Sequence, residues 1–227
     1  MNLKNKVVVI TGSTKGLGKA LASAFLDEKV KVIINARSKK ELQKVGKEIG
    51  AVGYPGDVTK EKDMKKLADF VVKKFKRIDV WVNNAGIWLP HKPIEKTDWK
   101  KAHDLMEVNL FGTVYGSKVA LTQMRKQNFG FIVNIISTSG LNGKINETAY
   151  CASKFAVSGF TKSLMKEVSG EKIKVLEVYP GGMKTNLFDE SRPKNYNEFM
   201  DPNFVAQKII QNLKLSKPRE GIIIKRK

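Results

Sequence analysis

The 227-residue chain is poor in the residues that build disulfides, metal sites and membrane spans. Its single cysteine, Cys151, excludes an internal disulfide and fits a reducing compartment. The two histidines, His91 and His103, belong to no spaced Cys/His cluster, so no metal site is predicted. No apolar run is long enough to cross a bilayer, and the VVVI run near the N-terminus is too short for a signal segment. We therefore expect a cytoplasmic protein with neither a metal nor a membrane partner.

Acidic residues are also scarce. The chain has 22 Asp and Glu but 42 Lys and Arg, which gives a net charge of +20. Such an excess attracts anions, including nucleic acids. The lysines are nevertheless scattered over nearly every helical stretch, as in EKDMKKLADFVVKKFKR, and aromatic residues are not interleaved with them. This pattern is typical of a solvated basic shell. A nucleic-acid partner is not expected, whereas phosphate-bearing ligands would be attracted in either case.

What the chain does contain is a regular alternation of Val- and Ile-rich runs with helical patterns. The strand-like runs are VVVI (7–10), KVIIN (31–35), AVGY (51–54), IDVWV (78–82), FIVNII (131–136), IKVLEVY (173–179) and GIIIK (221–225). Strand-helix alternation predicts an α/β protein with a Rossmann-like, doubly wound parallel sheet of about seven strands and helices on both faces. We expect one domain over residues 1–227, with a substrate loop around 183–202 where prolines interrupt the pattern.

The turn after the first predicted strand is rich in glycine. TGSTKGLG places Gly12, Gly16 and Gly18 between a strand and a helix, which is the setting that a dinucleotide site requires. Gly12 permits a tight turn, Gly16 lets the backbone approach a pyrophosphate, and Gly18 allows the helix to pack closely on the strand. The sequence therefore predicts a nucleotide site at this turn.

The end of the second predicted strand bears on the choice of cofactor. An NAD site usually has a carboxylate here to bind the adenosine ribose, but this chain has Asn35, Ala36 and Arg37. Lys15 adds a second cation in the glycine turn. Two cations without a carboxylate favour NADP(H) over NAD(H). The alternative is that both cations are solvated surface charges.

The stretch TAYCASKF carries a pair of chemically complementary residues. Tyr150 and Lys154 are four positions apart and share one face of a helix. An ammonium near the phenol would favour the phenolate and lower the pKa of Tyr150. By itself the pair also fits an ordinary exposed helix turn.

Taken in order, these motifs resemble those of the short-chain dehydrogenase/reductase family, in its compact single-domain branch. TGSTKGLG resembles the family's TGxxxGxG turn, NNAG (83–86) the motif that steadies the sheet, YCASK its YxxxK motif, and PGGMKT (180–185) its PGxxxT segment. Asp57-Val58 resembles the family's acidic-hydrophobic pair that contacts adenine, and the resemblance covers nearly the whole chain. It implies a nucleotide site formed by Gly12, Ser13, Thr14, Lys15, Gly16, Leu17, Gly18, Arg37, Asp57, Val58, Asn84, Ala85, Gly86, Tyr150, Lys154, Pro180, Gly181, Met183 and Thr185.

The resemblance also implies a catalytic set of Asn109, Ser137, Tyr150 and Lys154. Tyr150 would be the acid/base for a carbonyl–alcohol pair, with Lys154 lowering its pKa and holding the nicotinamide ribose. Ser137 would orient the substrate oxygen, and Asn109 would hold a water that links Lys154 to solvent. The alternative for each residue is a structural role. Ser137 could cap the fifth strand, with Ser139 as the competing candidate for the catalytic serine, and Asn109 could face solvent. In the nucleotide site, Asp57 could likewise be a turn residue and Thr185 loop surface.

The predicted substrate pocket lies at the carboxyl ends of the strands and is mainly apolar. Its proposed lining is Ser137, Tyr150, Trp88, Leu141 and Leu187. We expect an NADP(H)-dependent oxidoreductase that acts on a small carbonyl or alcohol with a hydrophobic body. The alternative is a non-catalytic NADP(H)-binding regulator or nucleic-acid-associated protein on the same fold, although such relatives usually lack part of the catalytic set. Members of this family are often dimers or tetramers that pair two long helices. The apolar positions Phe155, Phe160 and Leu164 are compatible with such a homodimer or homotetramer, and equally with the core of a monomer.

Overall fold

A computed structural model describes residues 1–226. Seven strands form one sheet: β1 (Val7–Thr11), β2 (Lys31–Ala36), β3 (Val52–Pro55), β4 (Val80–Asn83), β5 (Gly130–Ile135), β6 (Ile173–Pro180) and β7 (Gly221–Ile224). All pairs of neighbouring strands are parallel, in the order β3-β2-β1-β4-β5-β6-β7. The predicted Rossmann-like sheet is therefore confirmed, and each strand lies within two residues of its prediction.

Seven α-helices connect the strands. They are α1 (Gly16–Asp27), α2 (Lys39–Ile49), α3 (Glu61–Phe75), α4 (Trp99–Met106), α5 (Gly112–Gln127), α6 (Thr148–Glu167) and α7 (Pro202–Lys214). The sequence predicts one helical stretch over 97–127, whereas a π-helical segment, Glu107–Phe111, separates α4 from α5. The wider turn of a π segment changes the direction in which its side chains project, and it buries Asn109.

The alternation of side chains along the strands builds two apolar layers. Val8 and Ile10 pack with residues of α1, α2 and α7, whereas Val7 and Val9 pack with residues of α3, α5 and α6. Burial on both faces explains why β1 is apolar at nearly every position. The strand order reverses between β1 and β4, and a crevice at the carboxyl ends of these strands is where ligands bind in such sheets.

A chain of buried polar side chains joins β4 to β5 and α6. The Asn83 amide donates to Asn134 Oδ1 at 2.8 Å and to Ser117 Oγ at 2.9 Å, and the Asn134 amide donates to Thr161 Oγ1 at 2.9 Å. Trp81 Nε1 donates to Asn83 Oδ1 at 2.8 Å. Because each of these groups is paired inside the protein, the network holds β4 and β5 together and ties them to the helices packed against them.

Candidate active site

The glycine turn between β1 and α1 fits closely against the segment after β4. Gly12 and Gly16 have φ values of +61° and +55°, which non-glycine residues adopt rarely. A Cβ at Gly12 would lie 2.7 Å from Ala85 Cα, and a Cβ at Gly18 would lie 2.3 Å from the Gly12 carbonyl oxygen. These contacts explain glycine at both positions and leave a cradle of bare backbone at the start of α1.

Two residues of the predicted nucleotide site hold this turn in place. The Asn84 amide donates to the carbonyl oxygens of Thr11 and Gly12 at 3.0 and 2.9 Å. The Ser13 hydroxyl donates to Ile10 O at 2.7 Å, and the Ser13 N–H donates to Asn35 O. Ser13 is fully buried and both of its donors have protein partners, so we correct its predicted role from cofactor contact to loop anchor. Leu17 is also buried, and its side chain belongs to the core.

The cations predicted to favour NADP(H), Lys15 and Arg37, are both exposed at the edge of the crevice. Thr14 beside them lies 3.4 Å from a Glu41 carboxylate oxygen. Lys15 is the N-cap residue of α1 and supplies no side-chain cap, and the first turn of α1 contains no acidic residue. No side chain at the start of α1 therefore compensates the positive end of the helix dipole.

The pair predicted to contact adenine has structural contacts of its own. Asp57 Oδ1 accepts from the N–H and hydroxyl of Thr59 at 3.0 and 2.9 Å, which makes Asp57 a turn residue before α3. The Val58 side chain is buried, and a Cβ at Gly112 would lie 2.9 Å from it. An adenine contact by this pair stays a prediction.

The catalytic candidates meet where β5 ends and α6 begins. Lys154 Nζ lies 5.7 Å from the centre of the Tyr150 ring and 3.5 Å from Ile135 O. Both side chains are buried. Ser137 lies near Tyr150, and its hydroxyl acts on the pKa of the phenol. Ser137 also accepts from Ser139 N–H at 3.1 Å, so it caps a short turn as well. Ser139, the rival serine, donates instead to a Glu147 carboxylate oxygen.

Burial dominates the proton affinities of this site. It raises the pKa of Tyr150 above its usual value of 10, although the nearby Ser137 hydroxyl acts in the opposite direction. Burial also lowers the pKa of Lys154 to about 8. In the free protein, desolvation of the phenolate outweighs the other effects on the pKa of Tyr150. A lowering of this pKa by Lys154 stays a prediction. A neutral phenol is a proton donor.

Asn109 acts as a clamp rather than as a solvent-facing residue. Its Oδ1 accepts from Ile87 N–H at 2.8 Å, and its amide donates to Ile87 O at 3.0 Å and to Ser153 Oγ at 3.1 Å. These bonds tie the segment after β4 to α6. The side chain is therefore engaged by protein partners and positions both segments, and a water held at Asn109 stays a prediction. Gly86 lies beneath this clamp, and a Cβ there would lie 3.3 Å from Asn109 Oδ1.

An apolar cluster covers the Tyr150 ring. Trp88 and Leu105 are buried with Tyr150, and Leu187 and Phe188 from the segment after β6 pack against them. Two of the predicted pocket residues, Trp88 and Leu187, are therefore brought together with the phenol. Leu141 is not, because it packs with a separate cluster around Ile136, Val157 and Tyr179. We correct the prediction that Leu141 lines the same pocket, since its turn directs it toward β6 and α6.

The segment after β6 closes over the glycine turn. A Cβ at Gly16 would lie 3.3 Å from the Thr185 side chain, while Gly181 N–H donates to Ile224 O at 2.9 Å and follows Pro180, the last residue of β6. Met183, predicted for the nucleotide site, pairs with Met200 through a β-bridge and packs on the core, so its side chain anchors this segment. A cavity of about 400 Å³ lies between α1 and this segment. Its lining includes Gly16, Lys19, Lys184, Thr185, Arg192 and Tyr196.

Sequence reasoning missed one polar pair near Tyr150. His91 Nε2 lies 2.7 Å from Glu147 Oε1, and Ser139 Oγ donates to Glu147 Oε2 at 3.1 Å. A glutamate three positions before the tyrosine, at a helix start where Ser, Thr, Asp or Asn is usual, was the available signal.

Among residues 1–226, no group of three or more His, Cys, Asp or Glu side chains is placed to hold a metal ion. Within the same range, no helix combines the length and the apolar character needed to cross a membrane.

Comparison with known proteins assigns the chain to a family. The profile of the short chain dehydrogenases matches residues 6–196. The chain belongs to the short-chain dehydrogenase/reductase family. It is an oxidoreductase with an NAD(P)-binding Rossmann fold, as its motifs predicted.

Relatives in this family act on different substrates. The chain is 36% identical to a 3-oxoacyl-[acyl-carrier-protein] reductase of Thermotoga maritima, over 92% of this chain and 91% of that one. It is also 36% identical to an L-fucose dehydrogenase of Oryctolagus cuniculus, over 82% of this chain and 65% of that one. Among solved structures, a 3-ketoacyl-(acyl-carrier-protein) reductase of Brucella melitensis complexed with NADH is similar with a TM-score of 0.91 at 25% identity, covering 98% and 97% of the two chains.

Proposed function

We propose that the protein is an NADP(H)-dependent oxidoreductase that interconverts a carbonyl and an alcohol, with Tyr150 as the acid/base. The observation that carries this proposal is the meeting of Tyr150, Lys154 and Ser137 at the carboxyl end of the sheet, on the same edge as the glycine turn. The alternative of a non-catalytic regulator has no structural feature in its favour, since all four candidate catalytic residues lie around this one site.

The residues at the glycine turn fit a dinucleotide. Bare backbone at Gly12, Gly16 and Gly18 would admit a pyrophosphate, and the uncapped start of α1 would offer it N–H donors. Lys154 would hold a ribose hydroxyl. When bound, the cofactor supplies the hydride.

The preference for NADP(H) rests on Arg37 and Lys15. Both are exposed at the adenosine end of the crevice, where a 2′-phosphate would meet them. The relatives do not decide this point, because the Brucella melitensis reductase is complexed with NADH. We infer the preference from this chain's own charges.

The proton chemistry favours carbonyl reduction near neutral pH. Since burial raises the pKa of Tyr150, its hydroxyl stays protonated and can donate to a carbonyl oxygen. Ser137 would donate to the same oxygen and orient it. Alcohol oxidation requires the phenolate, and its rate should therefore rise toward alkaline pH.

The segment 183–202 would serve as a lid. Leu187 and Phe188 pack over the Tyr150 ring, which is only 9% exposed. A substrate must displace them to reach the phenol, and the apolar lining favours a carbonyl compound with a hydrophobic body.

A paired cofactor screen tests the proposal. Carbonyl compounds, among them 3-oxoacyl thioesters, and alcohols, among them L-fucose, would be offered with NADPH or NADH (NADP⁺ or NAD⁺ for the alcohols), and absorbance at the nicotinamide band would be followed. We expect turnover of at least one carbonyl, faster with NADPH by about tenfold or more. Absence of turnover with either cofactor, together with DNA binding at physiological salt, would favour the non-catalytic alternative.

A further inference from the structure

Glu147 occupies the N-cap position of α6, three residues before Tyr150, yet its side chain does not cap the helix. Its two carboxylate oxygens instead bond to residues from two other segments. His91, on the loop after β4, contacts Oε1 at 2.7 Å, and Ser139, in the turn after β5, donates to Oε2 at 3.1 Å. A carboxylate at a helix start is also favoured by the helix dipole, but the dipole alone does not account for these two partners.

The two segments that Glu147 joins carry the walls of the proposed site. Trp88 stands edge-on to the His91 ring, with ring centres 5.2 Å apart, and packs in the cluster over Tyr150. Ser139 lies two residues after Ser137 and donates its N–H to the Ser137 hydroxyl. A backbone bond from Lys92 N–H to Asn146 O, at 3.0 Å, runs beside the His91–Glu147 contact. Displacing Glu147 would therefore loosen both walls at once.

We propose that Glu147 is a positioning residue. Through His91 it holds the segment that carries Trp88, and through Ser139 it holds the turn that carries Ser137. It also fixes a negative charge at the start of α6, the helix that carries Tyr150. This inference rests on the proposed function, because it assigns the arrangement to the same site. The buried side chain of Glu147, only 10% exposed, is consistent with a structural tie rather than a solvated charge.

The charge has a chemical consequence for Tyr150. Repulsion between the Glu147 carboxylate and a phenolate adds to the effect of burial and raises the pKa of Tyr150. The titratable and charged groups nearest in sequence to the residues packed around Tyr150 include Cys151 and Lys154 on α6, Glu147 ahead of it, His91 after β4, His103 and Asp104 on α4, and Lys184 and Asp189 in the segment after β6. The last four are exposed, so solvent screens them more strongly than it screens Glu147.

Two variants separate this role from simple helix stabilisation. Glu147→Gln keeps the size of the side chain and removes its charge, so the midpoint of the pH dependence of kcat/KM should move to lower pH by about half a unit or more. Glu167→Gln is the matched control, because it removes the same charge from the far end of the same helix. Its midpoint should equal that of the wild type.

Amide hydrogen exchange provides a readout that does not depend on turnover. In Glu147→Ala and in His91→Ala, exchange over residues 87–97 should be faster by about tenfold or more, while exchange in β1 stays unchanged. His91→Ala covers the case in which Glu147→Ala fails to fold, since the His91 side chain is 39% exposed. A midpoint in Glu147→Gln equal to that of Glu167→Gln, or wild-type exchange over 87–97 in the folded variants, would overturn the inference. If the wild type turns over no carbonyl compound, the proposed function fails. The exchange measurement still tests whether Glu147 holds the two segments together.

Discussion

At the scale of the residue, the site contains a lysine that lowers the stability of the free protein. Lys154 is buried and bonds weakly, at 3.5 Å, to a backbone carbonyl. Its burial lowers the pKa to about 8, from 10.5 in water. A cation that folding must desolvate is costly unless it is well paired. The same buried position holds the amine next to the Tyr150 phenol, where the proposed chemistry requires it.

Replacing this lysine should stabilise the protein and inactivate it. The unfolded chain binds more protons than the folded one between about pH 8 and 10.5, so the stability of the wild type rises with pH across that window. Lys154→Met should raise the free energy of unfolding at pH 7 by about 1–3 kcal/mol, and the gain should shrink as the pH approaches 10.5. Urea denaturation at pH 7 and pH 10 measures both values. A variant less stable than the wild type at pH 7 would contradict this account.

At the scale of the element, the turn between β1 and α1 depends on glycine for two independent reasons. The backbone of Gly12 is left-handed, and a Cβ there would overlap Ala85. The turn is also held by the Asn84 amide, so distortion at Gly12 would reach the segment after β4. Cofactor binding and stability should therefore fall together.

Gly12→Ala tests this dependence, with Gly159→Ala as its control. The first change should lower stability by about 2 kcal/mol or more and weaken NADPH binding at least about tenfold. Gly159 lies within α6 with no atom within 4 Å of an added Cβ, so alanine there should stabilise the helix by about 0.5–1 kcal/mol. Thermal denaturation and fluorescence titration of NADPH measure these effects. Equal changes in stability and in NADPH affinity in the two variants would contradict this role of Gly12.

The strands were predictable because burial on both faces leaves apolar runs that end at glycine or polar turns. VVVI and FIVNII each correspond to one buried strand of the sheet. The π segment was not predictable, because EVNLFG shows a helical pattern and its wider turn depends on the contacts of Asn109 with Ile87 and Ser153. Local sequence does not encode such distant partners.

The site divides in the same way. Glycines, Tyr150 and Lys154 were found because their spacing is short and their geometry is local. The separation of Leu141 from Trp88 depends on how the turn after β5 packs, and the His91–Glu147 contact joins residues 56 positions apart (147 − 91). Pairings of this kind are set by the tertiary fold.

At the scale of the whole molecule, several large apolar side chains lie at the surface. Phe155 on α6 is 45% exposed and Phe111, just before α5, is 38% exposed. Of the other residues predicted for subunit contacts, Leu164 is buried and Phe160 packs on the core, so they serve the monomer. We propose that α5 and α6 form a subunit interface in which Phe155 is covered.

Light scattering tests this assembly. The wild type should have a mass of at least twice 25.4 kDa, and Phe155→Asp should return it to that of one chain. Ile145→Asp is the control, because Ile145 is 89% exposed but lies on the loop before α6, outside both interface helices. A wild-type mass of 25.4 kDa would exclude the interface.

The central claim is that the Tyr150 hydroxyl transfers the proton during carbonyl reduction, and Tyr150→Phe tests it most directly. Tyr179→Phe is the matched control, since Tyr179 is also buried but bonds to Ser158 and Glu177 rather than lying beside Lys154. Steady-state turnover and NADPH affinity would be measured for both variants on a substrate identified by the screen. We predict that Tyr150→Phe loses about 10²–10⁴-fold in kcat while its affinity for NADPH stays within about threefold, and that Tyr179→Phe keeps its turnover. Wild-type turnover in Tyr150→Phe would contradict the account.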